Sequence, residues 1–370
     1  FMVGYLMFGV LSILLQNGTP QATMYHFYDR VFSPMCLYLI IRLTLPGEKA
    51  WQWLMPVLFF MVFSQAVVGI LSWVAPSVLP SKWLDKVGQR TTGTLVNPSI
   101  YTTALIFAGF LLLHGALQHK RGLIRNSCIA VFLLCLFGIF LSFSRGSWLA
   151  GTLIVFGLFY VYPKFMVRFS LVAVMLTLLL GTVFLPPYID KAQQRLYSDQ
   201  AQGSALDRLP GFFAAYRMFQ EKPLFGWGYG NFDVYDRQFM GRVMDFANDN
   251  KDHASHNWYL SMLAEQGLVG VILFFGPLAW WLSLSLKQWP QLPKRGVWSR
   301  KLLLVLWLII LAEFVINNFM NMIIFFGHGL WWIVPGLIAT LLTQQWVPEK
   351  GDTLQQKATA VWKTAPFQPF

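Results

Sequence analysis

Two histidines, His253 and His256, stand where a polar loop joins a long apolar run that ends near Leu286. An imidazole titrates near neutral pH and can therefore accept or deliver a proton. This position predicts a general base at the mouth of a membrane helix. No third ligand follows at a recognisable spacing, so a metal site is not expected. A purely structural histidine is the alternative.

Polar side chains continue along the helix that follows His256. Asn257, Ser261 and Glu265 recur at intervals of four and therefore share one face. Such a face is unusual in a helix that contacts lipid. Small residues that suit close helix packing lie on the same helix: Gly267, Gly270 and Gly276.

An arginine also interrupts the apolar pattern, in the turn Ser144-Arg145-Gly146 between two predicted helices. A guanidinium in an apolar run is costly unless it snorkels, pairs or faces a polar cavity. We interpret Arg145 as a residue that contacts an anion and is held at a fixed depth in the membrane. A snorkelling arginine at a helix end is the alternative.

Two further arginines, Arg208 and Arg217, lie in the segment of a predicted amphipathic helix. Nine residues separate them, which places them on roughly opposite faces and predicts different roles. The planar guanidinium fork suits phosphate, while solvated arginines are the alternative. The apolar stripe predicted to lie on the membrane surface is Phe212, Phe213, Tyr216 and Phe219. Ser204 or Asp207 is the predicted cap, and Pro223 follows the predicted end.

Alternating glycines follow in the sequence Gly226-Trp-Gly228-Tyr-Gly230-Asn231. Their backbone N–H groups can approach an anion closely. The sequence context is neither that of a P-loop nor that of a dinucleotide fingerprint. A tight turn is therefore the alternative.

The composition indicates the kind of fold that must position these residues. Of the 370 residues, 56% are hydrophobic and 12% charged, and the mean hydropathy is +0.52. Soluble domains carry about a quarter charged residues, so we predict one all-α polytopic bundle over 1–370, with about 10–12 transmembrane helices.

Cys36, Cys128 and Cys135 fall in apolar runs and predict buried thiols rather than disulfides. Phe1 already lies in an apolar run, so we expect the natural chain to begin earlier. The candidate spans are 1–15, 31–45, 53–75, 98–118, 126–144, 147–162, 168–186, 258–286, 301–319 and 323–343.

The charges of the connections predict the orientation. Connections 119–125, 163–168 and 287–301 carry ten Lys/Arg and no acid, which predicts that all three are cytoplasmic. The large loop 187–257 then lies outside; its eight Lys/Arg against nine acids exclude a basic nucleic-acid groove. The polar tail 344–370 is predicted to be cytoplasmic.

Taken in order, these motifs resemble the O-antigen ligase and O-antigen polymerase family of bacterial envelope glycan enzymes. The resemblance covers about residues 90–285. It rests on Gly93-Thr-Leu-Val-Asn97-Pro98, Ser144-Arg145-Gly146, Arg208 followed by aromatics, Pro223-Leu-Phe-Gly226-Trp-Gly228-Tyr-Gly230-Asn231-Phe232, His256-Asn257-Trp-Tyr259-Leu260, and Glu265-Gln-Gly267-Leu-Val-Gly270.

The resemblance implies a GT-C-type glycosyltransferase of the bacterial inner membrane, with its active site on the periplasmic face. The implied donor is a glycan on undecaprenyl diphosphate, and the acceptor is lipid A–core for a ligase or a growing glycan for a polymerase. His256 would be the base, and Arg145 and Arg208 would stabilise the leaving diphosphate in an inverting displacement without metal or cofactor. The substrate-binding residues it implies are Asn97, Arg217, Gly226, Gly228, Gly230, Asn231, Asn257, Tyr259 and Glu265.

Other functions remain open at this point. The same family includes protein O-oligosaccharyltransferases, whose acceptor is a protein hydroxyl. A small-anion, bicarbonate-like transporter is a further alternative, because arginines within a membrane also mark permeation paths. A structural scaffold would tolerate substitution of the arginines and of His256.

Overall fold

A computed structural model describes most of the chain, in ranges separated by short gaps. Every regular element in these ranges is helical, which confirms the predicted all-α membrane bundle. The described ranges are 1–15, 20–44, 47–85, 90–119, 122–197, 208–240, 255–320 and 325–343. The predicted tail 344–370 lies outside them.

Thirteen α-helices form the described part of the chain. A π-helical turn, Tyr28–Phe32, joins α2 to α3, and 3₁₀ turns occur at Pro76–Val78, Ser81–Trp83 and Trp289–Gln291. The α-helices are α1 Met2–Leu14, α2 Pro20–Phe27, α3 Ser33–Thr44, α4 Glu48–Val74, α5 Pro98–Gln118, α6 Leu123–Leu141, α7 Arg145–Val161, α8 Pro163–Tyr197, α9 Leu209–Glu221, α10 Phe232–Met240, α11 Trp258–Gln288, α12 Arg300–Ile316 and α13 Phe325–Thr343.

Several helices have the length and hydropathy of membrane spans, which makes the chain a multi-pass membrane protein. Four described helices are long and apolar enough to cross: Lys49–Val74, Pro98–Gln118, Leu123–Leu141 and Trp258–Gln291. Shorter apolar helices are Met2–Leu14, Arg145–Val161 and His328–Thr343. The count of about 10–12 crossings stays a prediction, although each predicted span overlaps a described helix.

Helix α5 lies at the centre of the bundle, with nearly all its residues buried against α4, α6 and α12. Gly109 permits the approach of α6, because a Cβ there would lie 2.5 Å from Cys135 Sγ. Cys128 and Cys135 are buried thiols, as predicted, and Cys36 is half-buried.

The three basic connections meet at one end of the bundle. Lys164 lines one groove with Arg125 and an adjoining groove with Lys294, which brings residues of all three connections together. His114 Nε2 of α5 lies 2.8 Å from the Val297 carbonyl oxygen. We call this the basic end and the opposite end the site end. The prediction that these connections share one side is therefore confirmed.

Helix α8 extends well beyond the predicted span 168–186. Its 35 residues continue through Pro186 and Pro187, giving a length of about 50 Å against about 30 Å of hydrocarbon. Contacts of the extension stabilise it, because Tyr188 packs on Phe143 with ring centroids 5.1 Å apart and donates to the Phe140 carbonyl. The predicted loop 187–257 thus begins as helix.

Helix α11 is broken, whereas the sequence predicted one continuous span over 258–286. Gly267 has φ 60° and ψ −165°, which is not helical. The break separates an outer segment, 258–266, from an inner segment, 268–288, whose length of about 30 Å is sufficient to cross the hydrocarbon core. His256 therefore precedes the outer segment. Gly270 and Gly276 do pack closely, against Phe8 and Phe1 of the α1 region.

Candidate active site

Three helices at the site end begin with the same backbone pattern. The residue two positions before the first helical residue has positive φ in each case: Val96 (62°) before α5, Phe143 (47°) before α7 and His256 (47°) before α11. A left-handed conformation costs a non-glycine residue about 1–2 kcal/mol. Such strain concentrates at functional sites, which marks these three helix starts.

The starts of α5 and α7 lie side by side. Ser99 Oγ is 3.3 Å from Ser144 Oγ. Gly146, in the first turn of α7, lies against Phe319 just after α12, where a Cβ on the glycine would be 2.6 Å from the ring. The end of α12 therefore adjoins the start of α7.

The same end of α12 also holds the start of α11. Trp258 donates its backbone N–H to the Asn317 carbonyl at 3.0 Å. Tyr259 donates its hydroxyl to the Phe314 carbonyl at 3.1 Å, and the two rings stack 5.6 Å apart. Through α12, the Arg145 turn and His256 are brought to one junction at the site end.

Two of the three predicted asparagines cap these helices. Asn97 Oδ1 accepts from the N–H groups of Ser99 at 2.8 Å and Ile100 at 3.2 Å. Asn257 Oδ1 accepts from Leu260 N–H at 3.0 Å. These bonds give Asn97 and Asn257 a structural role, and their contact with substrate stays a prediction.

The start of α7 lacks such a cap. Ser144 makes no side-chain capping bond, and Arg145 is the exposed first helical residue. Ser147 Oγ, in the same turn, is fully buried without a hydrogen-bond partner in the described part of the chain. The helix dipole disfavours a cation at this end. An anion bound here would be stabilised by both the helix terminus and Arg145.

The glycine-rich segment 223–228 fills the break in α11. In an unbroken helix, the N–H groups of Leu268 and Val269 would donate to Ala264 and Glu265. In the broken helix, these two N–H groups and two carbonyl groups form their hydrogen bonds with the glycine-rich segment instead. The bonds are Trp227 N to Ala264 O at 2.9 Å, Gly228 N to Glu265 O at 2.7 Å, Leu268 N to Pro223 O at 2.8 Å and Val269 N to Leu224 O at 3.1 Å.

Glu265 and Asn231 fix the rest of this loop. The Glu265 carboxylate accepts from the Phe232 N–H at 3.1 Å, at the start of α10, and from the Gly230 N–H. Asn231 Nδ2 donates to the Trp227 carbonyl at 3.0 Å. The N–H groups of Gly228 and Gly230 are thus used within the protein, which favours the tight-turn interpretation. Substrate binding by Gly226, like that by the other residues of this loop, stays a prediction.

Helix α9 packs on the outer segment of α11 through two alanines and a methionine. Ala214, Ala215 and Met218 are buried in a cluster with Leu260 and Ala264. The predicted aromatic stripe is not the packed face, because Phe213 is 43% and Tyr216 50% exposed. The two alanines on the packed face allow the helices to approach closely.

Arg208 and Arg217 have different surroundings, and their different roles stay a prediction. Arg208 is half-buried and directly precedes the helix, which ends at Glu221, before Pro223 as predicted. Arg217 donates from Nη1 to the Phe239 carbonyl at 2.8 Å, which fastens α9 to the last turn of α10. The predicted caps Ser204 and Asp207, and His253, lie outside the described residues.

Residues 130–275 match the family model described as O-antigen ligase. They form an O-antigen ligase family segment. The segment runs from α6 into α11 and includes Arg145, Arg208 and His256, so the resemblance seen in the motifs is confirmed. The match indicates a glycan transferase of the ligase or polymerase type. No curated protein matches the chain.

Two parts of the site lie outside the O-antigen ligase family segment and were missed by sequence reasoning. Arg30, in the π-helical turn, lies close enough to Glu265 and Tyr229 for electrostatic interaction, and its Nε is buried without a hydrogen-bond partner among the described residues. π-helical turns frequently occur at functional sites. The available signal was an arginine directly before the predicted span 31–45.

The polar end of α12 is the second part that was missed. Glu313 is buried beside Thr103 of α5, and its Oε1 has no hydrogen-bond partner among the described residues. Asn317 links α12 to α11. Polar residues in an otherwise apolar run were the available signal.

Proposed function

We propose that this protein transfers a glycan from undecaprenyl diphosphate to an acceptor hydroxyl at the site end. The observation that carries the proposal is the junction of three helix starts, those of α5, α7 and α11, around Arg145 and His256. Helix N-termini and a guanidinium together suit a diphosphate.

The leaving diphosphate is stabilised at the start of α7. Arg145 and the uncapped N-terminus of this helix supply positive charge where negative charge develops. Ser147 Oγ offers a buried hydroxyl in the same turn. Arg208 supplies the second guanidinium from the start of α9, and Arg217 assists these two arginines in stabilising the diphosphate. These cations take the role that a metal plays in other diphosphate chemistry.

His256 acts on the acceptor. The acceptor oxygen attacks C1 of the donor sugar, the C1–O bond to diphosphate breaks, and its electron pair leaves with the diphosphate. The hydroxyl proton passes to His256. One displacement from the face opposite the leaving group inverts the anomeric centre.

The orientation of the chain supports an extracytoplasmic site. The three basic connections predict a cytoplasmic basic end, so the site end faces the periplasm if the protein lies in a bacterial inner membrane. The acceptor is lipid A–core if the protein is a ligase and a growing glycan if it is a polymerase. A protein hydroxyl is the third possible acceptor.

Reconstituted proteoliposomes test this function directly. Wild-type protein is given the lipid-diphosphate-linked glycan and either lipid A–core or a glycan acceptor, and products are separated by electrophoresis. Arg145→Gln should slow transfer by about 10²–10³-fold. Arg237→Gln is the matched control, because Arg237 is an exposed arginine of α10 outside the junction.

His256→Asn tests the base separately. Asparagine tolerates positive φ but cannot take the proton, so transfer should fall by about 10²–10⁴-fold while the protein stays folded. Wild-type rates in both Arg145→Gln and His256→Asn would refute the assigned roles. Uptake of a small anion into vesicles that requires Arg145, without glycan transfer, would support a transporter instead.

A further inference from the structure

The basic end carries two adjoining grooves at the surface of the bundle. The first has a volume of about 590 Å³, and its cations are Lys164, Lys294, Arg295 and Lys301. The second, about 560 Å³, lies between α6 and α8. Lys164 and Phe165 line both grooves. Each volume falls within the usual range of ligand pockets.

The second groove changes from charged to apolar with depth. On α6, Arg125 is followed at intervals of four by Ile129 and Leu133, all lining the groove. This spacing places the three side chains on one face of the helix. The groove therefore has a cationic mouth and an apolar wall.

Helix α8 repeats this pattern on the other wall. Lys164, Arg168 and Val172 follow at intervals of four, and Phe169 packs on Phe132 of α6 with ring centroids 5.8 Å apart. Both helices run away from the basic end, so Arg125 and Lys164 lie in the first turns of their helices. Arg168 lies one turn, about 6 Å, deeper. About 12 Å of helix separates the first and last residues of each set.

These cations are not neutralised by acids of the described chain. Neither groove has an acidic lining residue, and none of the lining cations forms an ion pair with a described acid. The positive-inside rule accounts for basic residues at this end. It does not account for their alignment with an apolar wall at helical spacing.

We propose that the two grooves bind an anionic phospholipid of the leaflet at the basic end. The headgroup phosphate lies among the cations around Lys164, and an acyl chain runs along the apolar wall between α6 and α8. Basic pockets between transmembrane helices bind acidic headgroups in this way. The site is at the opposite end from the glycan junction and does not depend on the proposed transfer reaction.

The charge of the mouth is tested by binding measurements on the purified full chain. Bound phosphatidylglycerol and phosphatidylcholine are counted by native mass spectrometry in a neutral detergent. Phosphatidylglycerol should bind preferentially, and Lys164→Gln should weaken it by about fivefold. Lys287→Gln should leave binding unchanged, because Lys287 is an exposed lysine on the last turn of α11 that lines neither groove.

The apolar wall is tested by a bulky substitution that changes no charge. Val172→Trp fills the second groove, whereas Val174→Trp alters an exposed valine of the same helix that lines neither groove. The first variant alone should lose phosphatidylglycerol, without loss of binding to inorganic phosphate.

Three results would overturn the proposal. They are equal binding of the two lipids, an equal loss in Lys164→Gln and Lys287→Gln, and inorganic phosphate that displaces the lipid at similar concentration. The last result would indicate a site for a free anion.

Discussion

A side chain at Gly226 would overlap the backbone of the segment that carries Gly267, and a side chain at Gly267 would overlap the backbone beside Gly226. A Cβ on Gly226 would lie 2.4 Å from the carbonyl of Glu265, and a Cβ on Gly267 would lie 2.4 Å from the Leu224 carbonyl oxygen. Both have positive φ, 69° and 60°. Because neither residue has a side chain, the glycine-rich segment can approach the break in α11 and bond to its free backbone groups. This contact sets the direction of the helix segment that follows His256.

Alanine at either glycine should therefore destabilise the contact between the glycine-rich segment and α11. Gly226→Ala or Gly267→Ala should cost at least about 2 kcal/mol, from the left-handed backbone and the steric overlap together. Thermal unfolding in detergent measures the change. Gly47→Ala is the control, since Gly47 has φ −92° and no atom within 4 Å of its Cβ position. Equal unfolding temperatures for the three variants would contradict this account.

The cap of α11 gives a second prediction. Asn257→Ala removes the bond to Leu260 N–H and should cost about 1 kcal/mol. It should also slow glycan transfer, because the cap fixes the turn that carries His256. Asn257→Asp keeps an accepting oxygen and should retain stability. Unfolding temperature and transfer rate are measured on the same preparations. An aspartate variant as unstable as the alanine variant would argue against the capping role.

Val96 gives a prediction of increased stability. It is a β-branched residue with φ 62° and is 56% exposed, so it is strained and loses little burial when replaced. Val96→Asn should stabilise the protein by about 1 kcal/mol, because asparagine adopts the left-handed region readily. Val78→Asn, at an exposed valine of a 3₁₀ turn, should give no gain. The comparison of unfolding temperatures fails to support strain at Val96 if both variants behave alike.

The orientation can be tested by cysteine labelling. In a chain with Cys36 replaced by serine, a membrane-impermeant maleimide should label Arg237→Cys on intact spheroplasts. Lys294→Cys should react only after the membrane is opened, because the basic connections are predicted to be cytoplasmic. The reverse pattern would place the candidate site on the cytoplasmic side.

Much of the site could be predicted because its residues depart from the surrounding pattern. Arg145 and His256 stand at the borders of apolar runs, and a charge or imidazole in such a position is costly without a function. The glycine-rich loop was also detected, but its role was not. Whether alternating glycines bind an anion or fit against another backbone depends on the neighbouring chain, which lies about 40 residues further on.

By itself, the sequence determined the class of protein, the helical composition, the shared side of the basic connections and the family resemblance. These properties follow from local periodicity, from charge in short segments and from motif order. The tertiary structure decided that α8 continues past Pro187, that α11 breaks at Gly267 and that the end of α12 joins Arg145 to His256. Each of these depends on contacts between distant segments, whose energies outweigh the local preferences visible in sequence.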